Sequence, residues 1–138
     1  MIRIKTIDEK DATGLVKEVY GHYPKLEGFT DPYWQVLSLW PEWMKVQDEI
    51  ESLMFGKSEL PRQIKEMIIT AVSKTNECTY CIDWHAADLK ITGLKDDDVQ
   101  RFACGKWKEV DLDEKTRAII EYAERITVDV TAITDGDV

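Results

Sequence analysis

The chain has 138 residues, a formal net charge of −9 and 43% hydrophobic residues, which fits one globular domain whose core needs no disulfide staples. Its acidic balance and scattered lysines and arginines exclude a basic patch for nucleic acid or an acidic membrane surface. The N-terminus lacks the apolar stretch of a signal peptide, and no segment approaches the length of a membrane span. Three cysteines, an odd number, do not read as a secreted disulfide framework, so a reducing cytoplasm is expected.

The expected elements are helices, with almost no strand signal. Asp11 to Tyr20 reads as a first helix, ended near Gly21 and Pro24. Pro32 to about Leu39 carries a short aromatic helix, and Pro41 opens the next, which runs to about Met54 and stops at Gly56. After Ser58 and Pro61, apolar residues at Ile64, Met67, Ile68, Ala71 and Val72 follow the i, i+3, i+4, i+7, i+8 series of an amphipathic helix. That helix breaks at the polar turn Thr75-Asn76-Glu77. A further helix runs from about Cys78 to Thr92, with Gly93 as its C-terminal cap.

Asp96 to Cys104 reads as a short helix whose opening aspartates suit the positive end of the helix dipole. They make no calcium loop, because the alternating ligand spacing is missing. Asp111 with Glu114 predicts a capping box, and the helix after it carries a stripe at Leu112, Ile119, Ile120, Ala123, Ile126 and Val130. A short polar tail closes the chain.

The chemistry is concentrated in one stretch, Cys78-Thr79-Tyr80-Cys81-Ile82-Asp83-Trp84-His85. Two thiols at this spacing can close a disulfide within one turn of backbone. Only a thiolate is a nucleophile, and an ordinary thiol is mostly protonated at neutral pH. Two devices favour the thiolate here. Cys78 lies at a helix N-terminus, where unpaired amides attract negative charge. His85 stands at i+4 from Cys81, on the same face, and can take the thiol proton and return it to a leaving group. Asp88 falls along that face, close enough to orient His85. Glu66, on the preceding helix, reaches His85 directly or through water if the two helices pack antiparallel.

The pattern Glu66-x11-Cys78-x2-Cys81-x3-His85 resembles the active-site motif of alkylhydroperoxidase D-like proteins, within the carboxymuconolactone decarboxylase superfamily. The likeness covers about residues 30 to 138, including the helix Pro61 to Ala71, the Gly93 stop, the acidic opening at Asp96 and the run Tyr122-Ala123-Glu124-Arg125-Ile126-Thr127. It implies an all-α helical bundle, an obligate oligomer as homotrimer or homohexamer, and thiol peroxidase or disulfide reductase activity. It further implies a small-molecule hydroperoxide as substrate and a dithiol, thioredoxin-like or lipoyl-type reductant as partner. Carried over, Glu66 and His85 are the proton relay, Cys81 attacks the peroxide and Cys78 resolves it; the reverse assignment of the two sulfurs stays open. No cofactor is expected.

Two features depart from the family. Tyr80 stands where well-studied peroxidase members carry a second histidine, and a tyrosine donates a hydrogen bond but is a poor base at neutral pH. Typical members also continue into a further helix past a segment like Val130 to Val138. Decarboxylase relatives lack the cysteine pair, whose presence argues against that branch.

Blander readings stand beside these. The two thiolates with His85 and Glu66 or water would suit zinc, although no second Cys-x-x-Cys or histidine pair closes a structural site. The pair also reads as inert core, or as a redox sensor with little turnover. Haem attachment is excluded by Ile82, which stands where that motif needs histidine. Cys104 reads as a buried free thiol, His22 as surface structure, Asp83 as a solvated charge, and Tyr33, Trp34, Trp40 and Trp43 as core or subunit interface.

Overall fold

Among the described residues, which are 3–23 and 28–137 of a computed structural model, prolines and glycines punctuate seven α-helices and no strand occurs. The all-α expectation holds. None of these helices is long and apolar enough to cross a membrane. The chain divides into two compact units, Met1–Gly56 and Lys57–Val138.

The first unit holds α1 (Gly14–Tyr20), α2 (Pro32–Leu37) and α3 (Pro41–Phe55), with α3 packed on both others. The first helix starts later than expected. Glu9–Asp11 forms a separate 3-10 turn, Ala12 and Thr13 are extended, and Gly14 sits at φ 53, outside right-handed helix geometry. Gly21 ends α1 as expected, while Pro24 lies outside the described residues. The second helix stops at Leu37 rather than Leu39, because Trp40 precedes Pro41 and is held off the α region (ψ 82). Both Pro32 and Pro41 occupy first-turn positions, where the missing N–H costs nothing.

Val16, Val19 and Tyr20 line one face of α1 and bury against Trp34, Met44 and Ala12. Tyr23 stacks on Trp34, centroids 4.1 Å apart. Of the four aromatics expected in core or interface, Trp34 is buried, while Tyr33, Trp40 and Trp43 are exposed. Asp48 is buried at 3% exposure and satisfied: His22 Nδ1 lies 3.0 Å from it and the Tyr23 hydroxyl donates at 3.1 Å. Lys45 donates to the same carboxylate at 3.4 Å. Thus His22 is at the surface, as expected, but it is tied to a buried carboxylate that the sequence did not flag.

The second unit holds α4 (Arg62–Thr75), α5 (Thr79–Ile91), α6 (Asp96–Ala103) and α7 (Glu114–Val128). Helix α4 is central, packing on α5, α6 and α7. Its Met67 and Ala71 join Leu89, Val99, Phe102, Trp107, Val110 and Ile120 in one core. Gly93, at φ 92, ends α5 in a Schellman motif: Leu94 N–H donates to Leu89 O at 3.3 Å and Gly93 N–H to Lys90 O at 3.0 Å.

The last helix departs from expectation at both ends. Its N-cap is Asp113, not Asp111, and Asp113 accepts from Thr116 N–H at 2.9 Å and Thr116 Oγ1 at 2.7 Å. The pair that closes the cap is therefore Asp113 with Thr116, and Asp111 lies upstream of the helix. Val130, assigned to the apolar stripe, falls beyond the helix after extended Asp129 (φ −157) and is 66% exposed. Cys104 is an exposed thiol, correcting the buried one expected, because α6 ends at Ala103 and the chain turns out through Gly105 at φ 75.

Candidate active site

The turn between α4 and α5 decides where the sulfurs lie. Thr75 ends α4, Asn76 caps it, and Glu77 adopts a left-handed conformation (φ 56). Cys78 N–H then donates to Ser73 O at 2.9 Å and Glu77 N–H to Lys74 O at 3.1 Å, a second Schellman motif. One residue therefore serves both helices: Cys78 closes α4 and is the N-cap of α5. Its sulfur accepts the Cys81 amide N–H at 3.3 Å. Sulfur occupies the position that serine or aspartate oxygen takes in ordinary caps, where amide donors and the helix dipole favour negative charge.

Cys78 and Cys81 are joined as a disulfide, with sulfurs 2.13 Å apart and Cα atoms 5.3 Å apart. Both cysteines are half-buried. One helical turn on, His85 projects from the same face as Cys81. Its Nδ1 lies 2.9 Å from Glu66 Oε2, so the contact that periodicity left open is direct and needs no water. Glu66 has no solvent exposure at all. It reaches this place because α4 and α5 pack against each other across the short turn, and because Glu66 lies off the main apolar stripe of α4 on a side that is nonetheless covered.

The other Glu66 oxygen is also engaged. Oε1 accepts from Arg62 Nε at 3.2 Å, and an Arg62 terminal nitrogen lies 3.8 Å from Asp88 Oδ2. Arg62 escaped the sequence reading, although its i−4 position relative to Glu66 is a detectable signal. Asp88, expected to orient His85, pairs with Arg62, and its carboxylate lies within 4.8 Å of a His85 ring nitrogen.

The carboxylates and the histidine carry the donor chemistry of a metal site. Ligand atoms of Glu66, His85 and Asp88 lie within 4.8 Å of one another. Arg62 already supplies positive charge to both carboxylates, and neither sulfur belongs to the group. The zinc arrangement considered from sequence needs two free thiolates, whereas here the sulfurs are bonded to each other. Beside the disulfide, Tyr80 and Trp84 stand one turn apart with ring centroids 6.2 Å apart, and Tyr80 is partly exposed.

The sequence pattern of the carboxymuconolactone decarboxylase family matches residues 41–103, from the first residue of α3 to the last of α6. Through this segment the chain is similar to the carboxymuconolactone decarboxylase family. The match encloses Arg62, Glu66, Cys78, Cys81, His85 and Asp88. The chain is also 33% identical over 90 residues to Uncharacterized protein YdfG of Bacillus subtilis (strain 168). That alignment takes in 64% of this chain and spans 58% of the relative's length.

Proposed function

We propose that this chain is a member of the carboxymuconolactone decarboxylase superfamily and a thiol-dependent hydroperoxide reductase that works through the Cys78–Cys81 pair, an antioxidant disulfide oxidoreductase. The observation that supports this best is the capped disulfide on the helix that also carries His85, with that imidazole held by a fully buried glutamate. A carboxylate that fixes one ring nitrogen leaves the other as the acceptor, the arrangement a general base needs.

In the reduced protein, His85 takes the Cys81 proton. The thiolate attacks the terminal oxygen of a hydroperoxide, breaking the O–O bond. Cys81 becomes a sulfenic acid, and the alkoxide leaves as the alcohol after receiving the proton from His85. Cys78 then attacks the sulfenic sulfur, forming the disulfide and releasing water. An external dithiol reduces the pair through a mixed disulfide and is itself oxidised to a disulfide. The net change is one hydroperoxide and one dithiol converted to alcohol, water and one disulfide. The amide donor at Cys78 stabilises its sulfur as the leaving thiolate in that last stage, which favours Cys81 as the sulfur the external thiol attacks.

The reductant in this scheme is a dithiol of thioredoxin-like or lipoyl type, the protein is a homotrimer or homohexamer, and a reducing cytoplasm keeps the cycle running. Steady-state consumption of an alkyl hydroperoxide with a dithiol donor tests the reading. The parent turns over, while Cys78→Ser and Cys81→Ser do not. Equal rates in parent and both serine variants would falsify it. A second reading rests on Tyr80 replacing a histidine of the peroxidase relatives: a redox sensor oxidises once per chain and does not recycle with the dithiol in the same assay.

A further inference from the structure

We infer that Arg62 is the positioning residue of the relay, a cation that fixes the Glu66 carboxylate so that one oxygen faces His85. The part of this that concerns rate rests on the thiol chemistry proposed above; the part that concerns His85 does not.

The argument begins with charge. A carboxylate without solvent exposure must be offset by partners, or it rearranges. Glu66 has two: His85 on Oε2 and Arg62 on Oε1, each holding one oxygen. Asp88 adds a second carboxylate to the cluster, with Arg62 lying against both. While His85 is neutral, the four side chains sum to one negative charge. When His85 accepts a proton they sum to zero. Without Arg62 the same step would run from two negative charges to one, with Glu66 left uncompensated in the interior.

Geometry points the same way. An ion pair between two exposed side chains contributes little. The Arg62 pair is different, because its partner is fully enclosed and because the guanidinium fork spans α4 and α5 by reaching Asp88. A planar fork can hold the plane of a carboxylate as well as its charge, which a point charge cannot do. The carboxylate plane decides whether Oε2 meets the His85 ring in line, and thus which ring nitrogen carries the proton.

The test uses the chain's two histidines. Imidazole nitrogen NMR, assigned with His85→Ala and with His22 as internal reference, reads the His85 tautomer in parent, Arg62→Met and Arg62→Lys. Methionine keeps the length of the stem and removes the charge. In the parent, the neutral His85 ring carries its proton on Nδ1. In Arg62→Met that preference is lost and the two tautomers mix, while the His22 signals stay in place. Hydroperoxide-driven oxidation of the dithiol slows about 10- to 100-fold, and Arg62→Lys recovers part of both effects. An unchanged His85 tautomer together with a parental rate in Arg62→Met overturns the inference. A parent that shows no hydroperoxide-driven oxidation sinks the proposed function instead, and the tautomer comparison still decides what Arg62 does.

Discussion

At the residue scale, the proposed cycle asks three side chains to do different work on one proton. In it Cys81 supplies the proton, His85 carries it, and Glu66 holds the carrier still. Removing the carrier should cost more than loosening its support. We expect His85→Ala to slow hydroperoxide-driven thiol oxidation about 10²- to 10⁴-fold. Glu66→Gln, which keeps shape but removes charge, should cost less. Thiol alkylation followed against pH in the reduced protein checks this, because loss of the base moves the response in His85→Ala to higher pH. The same profile in parent and variant would remove His85 from the mechanism. Most of this site was legible in the sequence, since i+4 spacing on a helix fixes relative direction by geometry alone. Arg62 was not, because a guanidinium on a long flexible stem has many positions, and only the packed α4–α5 interface selects one.

At the scale of elements, the two Schellman turns carry the site. One places Cys78 at the start of α5, and the other ends α5 at Gly93. Both need a left-handed residue, but only one uses glycine. Gly93→Ala should destabilise the protein by about 1 kcal/mol, the cost of a side chain in left-handed geometry. Glu77 already bears that cost at φ 56, so Glu77→Gly should leave stability unchanged or raise it slightly. Denaturant midpoints of the two variants decide this, and a Glu77→Gly loss as large as that of Gly93→Ala would contradict it. The helices themselves were readable from periodicity and proline placement. Their ends were less so: Asp111 and Asp113 offer the same chemistry two residues apart, and the choice went to the one with Thr116 within reach.

Across the whole molecule, charge sets the limits of stability. Burial pushes the Asp48 carboxyl up, but hydrogen bonds from His22 and Tyr23 outweigh it and leave it below the ordinary carboxylate range. Hydrogen bonds from Thr116 hold Asp113 low, those from Thr131 hold Asp129 low, and the hydrogen bond from Arg125 brings Asp137 down to about 2. A carboxyl depressed in the folded state stabilises the fold above its unfolded value, near 4, and that contribution fades as pH falls through the folded value. Stability should therefore decline between about pH 4 and about pH 2. In the other direction, burial foremost pushes the Tyr20, Tyr23 and Tyr33 hydroxyls above their usual range. Their contribution is complete below about pH 10 and is lost as pH rises beyond it. Far-UV circular dichroism and tyrosinate absorbance track the two limbs. Stability that stays flat through the acid window, or early ionisation of all five tyrosines, would contradict this assignment.

The sequence by itself determined the helical class, the punctuation by Pro32, Pro41 and Gly93, and the spacing of Glu66, Cys78, Cys81 and His85. These are local properties, set by backbone preferences and a 3.6-residue period that operate within a turn or two. Tertiary structure alone decided that Glu66 is fully enclosed, that it meets His85 without a water between, that Arg62 bridges it to Asp88, and that Cys104 faces solvent. Those outcomes depend on which helix faces meet, and the apolar stripe of one helix does not specify how closely its neighbour will cover the polar side.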